Sequence, residues 1–142
     1  MSFDLKITNQ DLVITNSDLK TVQDSEKLIQ DILKICLTQT GSNPYHPWYG
    51  SLISRSIIGS SLDTSMLINI AESQLNSALE NLKNLQVTQL RSFQKVSADE
   101  QLSSIRVNVE RNSIDPRLFT VNIYAMTKGL KPITTAFRIS TI

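Results

Sequence analysis

Two groups of residues in one loop carry side chains that could do chemistry. His46, the only histidine, lies between Pro44 and Pro47 and could act as an acid or base. A catalytic histidine ordinarily needs an orienting carboxylate and a nucleophile, and the sequence identifies neither, so loop architecture explains His46 better. Trp48 and Tyr49 could stack on a sugar, but such aromatic residues more often pack at the edge of a core or anchor a protein interface.

Carboxylates are the remaining candidates for catalysis. Glycoside hydrolysis needs two of them about 5 to 9.5 Å apart across a cleft, one with a raised pKa. Asp99 and Glu100 are adjacent in a predicted loop, where successive side chains diverge, and Asp63, Glu72 and Glu80 belong to the polar face of a predicted helix. None of these carboxylates is set in an apolar pocket of the kind that raises the pKa of a carboxyl group. We therefore expect no enzyme activity, and we expect Asp99 and Glu100 to solvate or cap a turn.

Composition excludes several other classes of function. The 14 basic and 13 acidic residues leave a net charge of +1, too little to attract nucleic acid or an anionic membrane. The single cysteine, Cys36, lies in an apolar helix pattern, so neither an internal disulfide nor a multi-thiolate metal site is expected. No signal-peptide pattern and no membrane span are expected. We predict folding in a reducing cytoplasm, without a cofactor.

Helical periodicity positions these residues. An apolar stripe predicts a helix that is capped by Asp24 or Ser25 and ends near Thr40. A short helix over residues 51–58 and a helix of about 22 residues from Thr64 onward follow. Residues 87–92 have raised β-branched content and predict a strand.

Alternating patterns predict an antiparallel sheet in the last third of the chain. Its strands are expected at residues 105–109, 119–125 and 134–139, and a hairpin is expected near the N-terminus, with strands at 12–14 and 19–22. The predicted class is α+β, with helices packed on one face of a small, mostly antiparallel sheet in a single domain over residues 1–142. No internal repeat is expected.

A stiff loop links the first two helices. Gly41 is expected to take a positive φ and end the first helix, while the two prolines restrict their neighbours to extended geometry. We predict a structural loop built from Thr38, Gly41, Pro44, Pro47, Trp48, Tyr49 and Gly50.

The order of these segments resembles the small baseplate wedge proteins of contractile-tailed phages, the family that initiates the tail sheath and has relatives in type VI secretion baseplates. The resemblance is carried by Gln30, by Leu37, Thr38 and Gly41 in an L-T-x-x-G run, by Tyr49-Gly50-Ser51-Leu52, and by the D-L pattern of residues 11–19. It implies a structural subunit of the virion tail baseplate, present in multiple copies in a symmetric assembly. Its implied partners are other wedge subunits and the tail sheath protein.

The chain departs from that family at one motif. Many wedge proteins carry Glu-Pro-Arg just after the long helix, where this chain reads Leu85-Gln86-Val87. Asp115-Pro116-Arg117 imitates the motif but lies in a predicted turn, where Arg117 is expected to be solvated. The family's partner contacts at that motif are therefore not transferred.

The last strand is the predicted partner-binding segment. It is short of charge, and an exposed strand edge can pair with another chain. The residues assigned to this contact are Thr134, Thr135, Phe137 and Ile139. Two alternatives remain open: a lysozyme-like peptidoglycan glycosidase, since the wedge family has been labelled in that way, and a soluble protein-interaction adaptor.

Overall fold

A computed structural model describes residues 2–141 of the chain. Its helices are α1 (Asp24–Leu37), α2 (Ile53–Ile57) and α3 (Thr64–Arg91), and a 3₁₀ turn covers Ala98–Glu100. None of the helices in this described part is both long enough and apolar enough to cross a membrane.

A three-stranded antiparallel sheet forms the C-terminal third. Six shorter strands, numbered β1 to β6, precede α1 and are described below. The sheet strands are β7 (Leu102–Arg111), β8 (Leu118–Thr127) and β9 (Pro132–Ser140), in the order β7-β8-β9. Each is longer than its predicted counterpart, because the alternation weakens towards the strand ends while the backbone pairing continues.

The core lies between the helices and one face of this sheet. The odd-numbered residues of β8, such as Phe119, Val121 and Ile123, are buried, whereas Tyr124 on the other face is exposed. Helix side chains such as Leu75, at 0% exposure, pack against that inner face. The predicted α+β class, with helices on one face of an antiparallel sheet, is confirmed.

The first 24 residues contain a repeat that the sequence analysis missed. Residues 4–10, 11–17 and 18–24 each begin with Asp-Leu. They form three two-residue ladders: β1 (Asp4–Leu5) with β6 (Thr21–Val22), β2 (Ile7–Thr8) with β3 (Asp11–Leu12), and β4 (Ile14–Thr15) with β5 (Asp18–Leu19). We call residues 4–22 the N-terminal module.

Three hydrogen bonds related by pseudo-threefold symmetry hold the N-terminal module together. The third residues of the repeats form a ring: Lys6 N–H donates to Lys20 O, Val13 N–H to Lys6 O and Lys20 N–H to Val13 O, at 2.8 to 3.0 Å. Asn9-Gln10 and Asn16-Ser17 have positive φ throughout, as in the type I′ turns that match strand twist. The predicted hairpin around residues 15–18 therefore exists as one of three ladders.

The predicted strand at residues 87–92 is wrong, because α3 continues through it to Arg91. Gln86 is 5% exposed, and its amide donates to Glu100 O and accepts from Leu102 N–H, both at 2.8 Å. This clamp ties the last turns of α3 to the start of the sheet. Val87 and Thr88 lie on the exposed side of the helix, where their β propensity is overridden by packing.

The ends of α1 also differ from the prediction. The helix ends at Leu37, before Gly41, and the Thr38 N–H and hydroxyl both donate to Lys34 O. At the other end neither Asp24 nor Ser25 caps the helix: Gln23 occupies the N-cap position without a side-chain bond, and the Asp24 carboxylate accepts from Ser97 Oγ at 2.7 Å.

Candidate functional site

The loop after α1 is closed by its own backbone. Ser51 N–H donates to Thr38 O at 2.8 Å, Thr40 N–H donates to Ser51 O at 3.1 Å, and Gly41 N–H donates to Pro47 O at 3.0 Å. The buried Ser51 hydroxyl also donates to Cys36 O at 2.6 Å. These bonds bring the two ends of the loop together, so it is a compact loop fixed to the end of α1.

Both glycines of this loop have positive φ, but they are constrained to different degrees. Gly41 has φ +86, and a Cβ there would meet nothing within 4 Å. Gly50 has φ +117, and a Cβ there would lie 2.5 Å from Thr38 O and 2.9 Å from Thr40 N. These two atoms belong to the bonds that close the loop, so only glycine fits at position 50.

The aromatic side chains of the loop lie at its surface. The rings of His46 and Trp48 are 5.8 Å apart at 66°, and those of Trp48 and Tyr49 are 6.0 Å apart at 70°. Tyr49 is half-buried and packs on the core, whereas Trp48 remains 42% exposed and Tyr45 88% exposed. Pro44 and Pro47 are exposed beside them. Tyr49 therefore anchors the loop, and His46, Tyr45 and Trp48 are presented to solvent.

Gln30 attaches the N-terminal module to α1. Its side-chain amide donates to Leu5 O at 2.8 Å and to Asp4 Oδ2 at 3.0 Å, and accepts from Ile7 N–H at 3.0 Å. Lys34 binds the same Asp4 carboxylate. The Gln30 side chain thus provides partners for the carbonyl of Leu5 and the N–H of Ile7, two backbone groups that the break between β1 and β2 leaves unpaired.

The Asp4–Lys34 pair affects the ionisation of both groups. Burial would raise the pKa of Asp4, but hydrogen bonds from Lys34 and Gln30 outweigh it and hold that pKa below the ordinary 3.8. Burial likewise opposes the charge of Lys34, and the Asp4 bond raises its pKa above 10.5. Asp31 lies 3.6 Å from the same ammonium. Asp4 is therefore an ionised partner in a salt bridge rather than a proton donor.

Asp99 and Glu100 lie in the 3₁₀ turn that precedes β7. Glu100 caps it: Oε2 accepts from Ser97 N–H at 3.2 Å and from Ser2 Oγ at 2.7 Å, and the side chain is 1% exposed. The expectation that these residues solvate or cap a turn is confirmed for Glu100, which acts as a cap with a buried side chain. Asp99 accepts from the Thr127 hydroxyl at 3.3 Å.

Other candidate reactive groups are also held in structural contacts. Arg117 is exposed in its turn, as expected, and it bonds Asp115 at 3.1 Å. Burial raises the pKa of the Cys36 thiol to about 12, so it stays protonated. Within residues 2–141, no group of three or more His, Cys, Asp or Glu side chains could hold a metal ion.

The two edges of the C-terminal sheet differ. Arg117 O accepts from Thr141 N–H, and Lys131 O accepts from Thr127 N–H. Because bonded and unbonded pairs alternate in an antiparallel ladder, the odd-numbered residues of β9 bond β8 and the even-numbered residues turn their backbone groups to the edge. On β7 the edge-facing Val109 N–H donates to the Glu72 carboxylate of α3 at 3.1 Å. On β9, the backbones of Thr134, Ala136 and Arg138 face outward, and their N–H groups have no partner among the described residues.

The predicted partner-binding residues divide along the same alternation. Thr134 lies on the outer face, and its backbone points to the free edge. Thr135, Phe137 and Ile139 point their side chains inward, and Phe137 and Ile139 pack against the core. The N–H groups of these three residues bond β8. A partner strand would therefore pair with the backbone of the residues that alternate with them, which faces the free edge. Sequence reasoning missed the Glu72 cover on β7, which joins residues 37 positions apart.

Comparison with known proteins gives a likeness in fold. No family model matches the chain, and no curated protein matches its sequence. The fold resembles that of the crystal structure of a "putative tail lysozyme" from Geobacter sulfurreducens, with a TM-score of 0.60 over 93% of this chain and 97% of that one. The identity is 13%, so the likeness establishes the shared fold alone.

Proposed function

We propose that this chain is a structural subunit of a contractile phage tail baseplate, which joins wedge components and initiates the sheath by strand pairing. Its partners are other wedge subunits and the tail sheath protein, in a symmetric assembly of several copies. The chain folds in the host cytoplasm and ends in the virion.

The observation that carries this proposal is the free edge of β9. On β7, Glu72 covers the Val109 N–H, while the outward-facing N–H groups of Ile105 and Val107 have no partner among the described residues. On β9, none of the three successive outward donors at residues 134, 136 and 138 is covered by a described residue. Soluble proteins usually protect such an edge with charge or proline, and Arg138 is the one charged residue among these three. An added strand would satisfy these donors and extend the sheet.

Two further observations support a place in a phage tail. The fold is similar to that of a protein whose name assigns it to a tail. Four of the residues that carry the resemblance to wedge proteins make or permit the contacts that hold the module and the loop on α1: Gln30, Thr38, Gly41 and Gly50.

The proposed function is non-enzymatic. Glu100 is enclosed and caps a turn, and Asp4 and Asp31, which line one surface cavity, share Lys34. Glu100 is closed off from solvent, and Asp4 and Asp31 are committed to the Lys34 ammonium, so neither arrangement offers the carboxylate pair of a glycosidase. A peptidoglycan turbidity assay should therefore show no clearing by the purified chain. Clearing that is lost in Asp99→Asn or Glu100→Gln would establish the glycosidase alternative.

The assembly role is tested by co-expressing the chain with the contractile sheath protein of the same genome and examining the products by electron microscopy. The wild type should seed sheath polymers. Ala136→Pro removes an outward-facing donor and leaves every β8–β9 bond intact, so this variant should fold but fail to seed.

Thr135→Pro is the matched comparison. It deletes a bond to Ile123 inside the sheet and should reduce stability instead, by about 1 to 3 kcal/mol. Normal seeding by a folded Ala136→Pro protein would refute the assembly role of this edge. Circular dichroism of both variants shows which of them is folded.

A further inference from the structure

A surface groove separates α3 from the loop of residues 38–51 that follows α1, which we call the aromatic loop. Its volume is about 430 Å³, within the range of small-ligand sites. Its walls are His46 and Trp48 on the loop side and Asn81, Asn84, Leu85 and Thr88 on the helix side. The baseplate contacts described above use neither wall.

The helix wall carries a row of uncommitted amides. Asn81 and Asn84 are three residues apart and therefore lie on the same face of α3. Neither side-chain amide has a hydrogen-bond partner among residues 2–141. Each amide can donate two hydrogen bonds and accept two. The Thr88 hydroxyl donates to Asn84 O at 3.0 Å and keeps its capacity to accept.

The loop wall combines apolar surface with one more donor. The rings of His46 and Trp48 meet at 66°, so they form a corner rather than a stacked pair. The indole N–H of Trp48 also lacks a partner within residues 2–141. An aromatic ring beside free amides offers an apolar surface for C–H groups together with directional bonds for hydroxyls.

Charge narrows the class of ligand. None of the six residues that line the groove is Asp, Glu, Lys or Arg. The basic Lys83 of the same helix lies 3.5 Å from Glu80 and outside the groove. Apart from the imidazole of His46, no lining side chain could pair with a charged ligand, whereas a neutral polyhydroxylated ligand needs no counter-charge.

We propose that this groove binds a neutral glycan segment, with a sugar ring against Trp48 and its hydroxyl groups on Asn81 and Asn84. Binding is expected without cleavage, because no carboxylate lines the groove. This site goes beyond the baseplate role and does not depend on it.

Trp48 is the only tryptophan of the chain, so its fluorescence reports directly on the groove. Titration of the intact protein with chitotetraose and with maltotetraose should give a saturable change for at least one of them. Asn81→Ala and Asn84→Ala should each weaken that binding about three- to tenfold, the equivalent of one lost hydrogen bond. Asn76→Ala, an exposed change on the same helix outside the groove, should leave it unchanged.

Three results would overturn the proposal. The first is the absence of any saturable change up to about 10 mM of either sugar. The second is equal weakening by Asn76→Ala and Asn84→Ala, which would place binding elsewhere. The third is saturation by a proline-rich peptide with no response to sugar, which would assign the groove to a protein segment. Because all three variants are Asn→Ala changes at positions of a helix that are not buried, circular dichroism should show them folded.

Discussion

Replacement of Gly50 by alanine should destabilise the protein more than any other single methyl addition in the aromatic loop. The new Cβ would lie 2.5 Å from Thr38 O and 2.9 Å from Thr40 N, and the φ of +117 is itself strained for alanine. That backbone strain costs about 1 to 3 kcal/mol. Separation of the two closing bonds to Ser51 costs about 0.5 to 1.5 kcal/mol each. We expect a total loss of about 2 to 6 kcal/mol.

Gly41→Ala is the matched control, since that site has a positive φ but no atom within 4 Å of the new Cβ. It should lose only the strain, about 1 to 3 kcal/mol. Urea unfolding followed by Trp48 fluorescence and by circular dichroism gives both free energies of unfolding. If Gly50→Ala is no less stable than Gly41→Ala, the close approach of the loop ends is wrong. His46→Ala, at an exposed side chain, should stay within about 0.5 kcal/mol of the wild type.

Three further changes test individual contacts. Gln30→Ala should cost about 1 to 3 kcal/mol and speed amide exchange at Ile7, because its amide bonds Leu5 and Ile7; unchanged exchange at Ile7 would count against the clamp. Asp4→Asn should lose stability relative to the wild type above about pH 4, and this difference should vanish as the pH falls below the lowered pKa of Asp4 in the folded protein. The folded pKa of Asp4 is lowered below 3.8, so its contribution is present above that value and lost in acid; a difference that persists at low pH would contradict the salt bridge with Lys34. Glu72→Ala should speed exchange at Val109, whereas Glu80→Ala, at an exposed pair with Lys83, should leave it unchanged; equal rates in the two variants would show that Glu72 does not cover the edge.

Regular patterns made most of the fold predictable. The stripe of α3 and the alternation of β8 each follow from one face meeting the core, and both were located correctly. The sequence predicts a strand at residues 87–92 because Val87 and Thr88 favour strands. The buried Gln86 clamp that keeps these residues helical depends on residues 14 to 16 positions away. Propensity contains no information about such a partner.

The N-terminal repeat could have been found from the sequence. Asp-Leu recurs at residues 4, 11 and 18 with a spacing of seven, but the third copy has Thr21 where the others have Ile7 and Ile14. The ring of bonds through Lys6, Val13 and Lys20 is made by backbone groups, so it leaves no mark on side-chain type. The difference between the two sheet edges could not be predicted for the same reason. Which backbone groups of β9 face the edge depends on the register of its pairing with β8, and side-chain types do not specify that register.

The most direct test of the assembly role is amide hydrogen exchange along β9, measured on the free chain and on the chain recovered in sheath polymers. In the free chain, Thr134, Ala136 and Arg138 should exchange rapidly, while Thr135 and Phe137, which bond β8, should be protected. On assembly the three outward amides should become protected as well. Rapid exchange at these positions within the polymer would contradict strand pairing at β9 as the function of this protein.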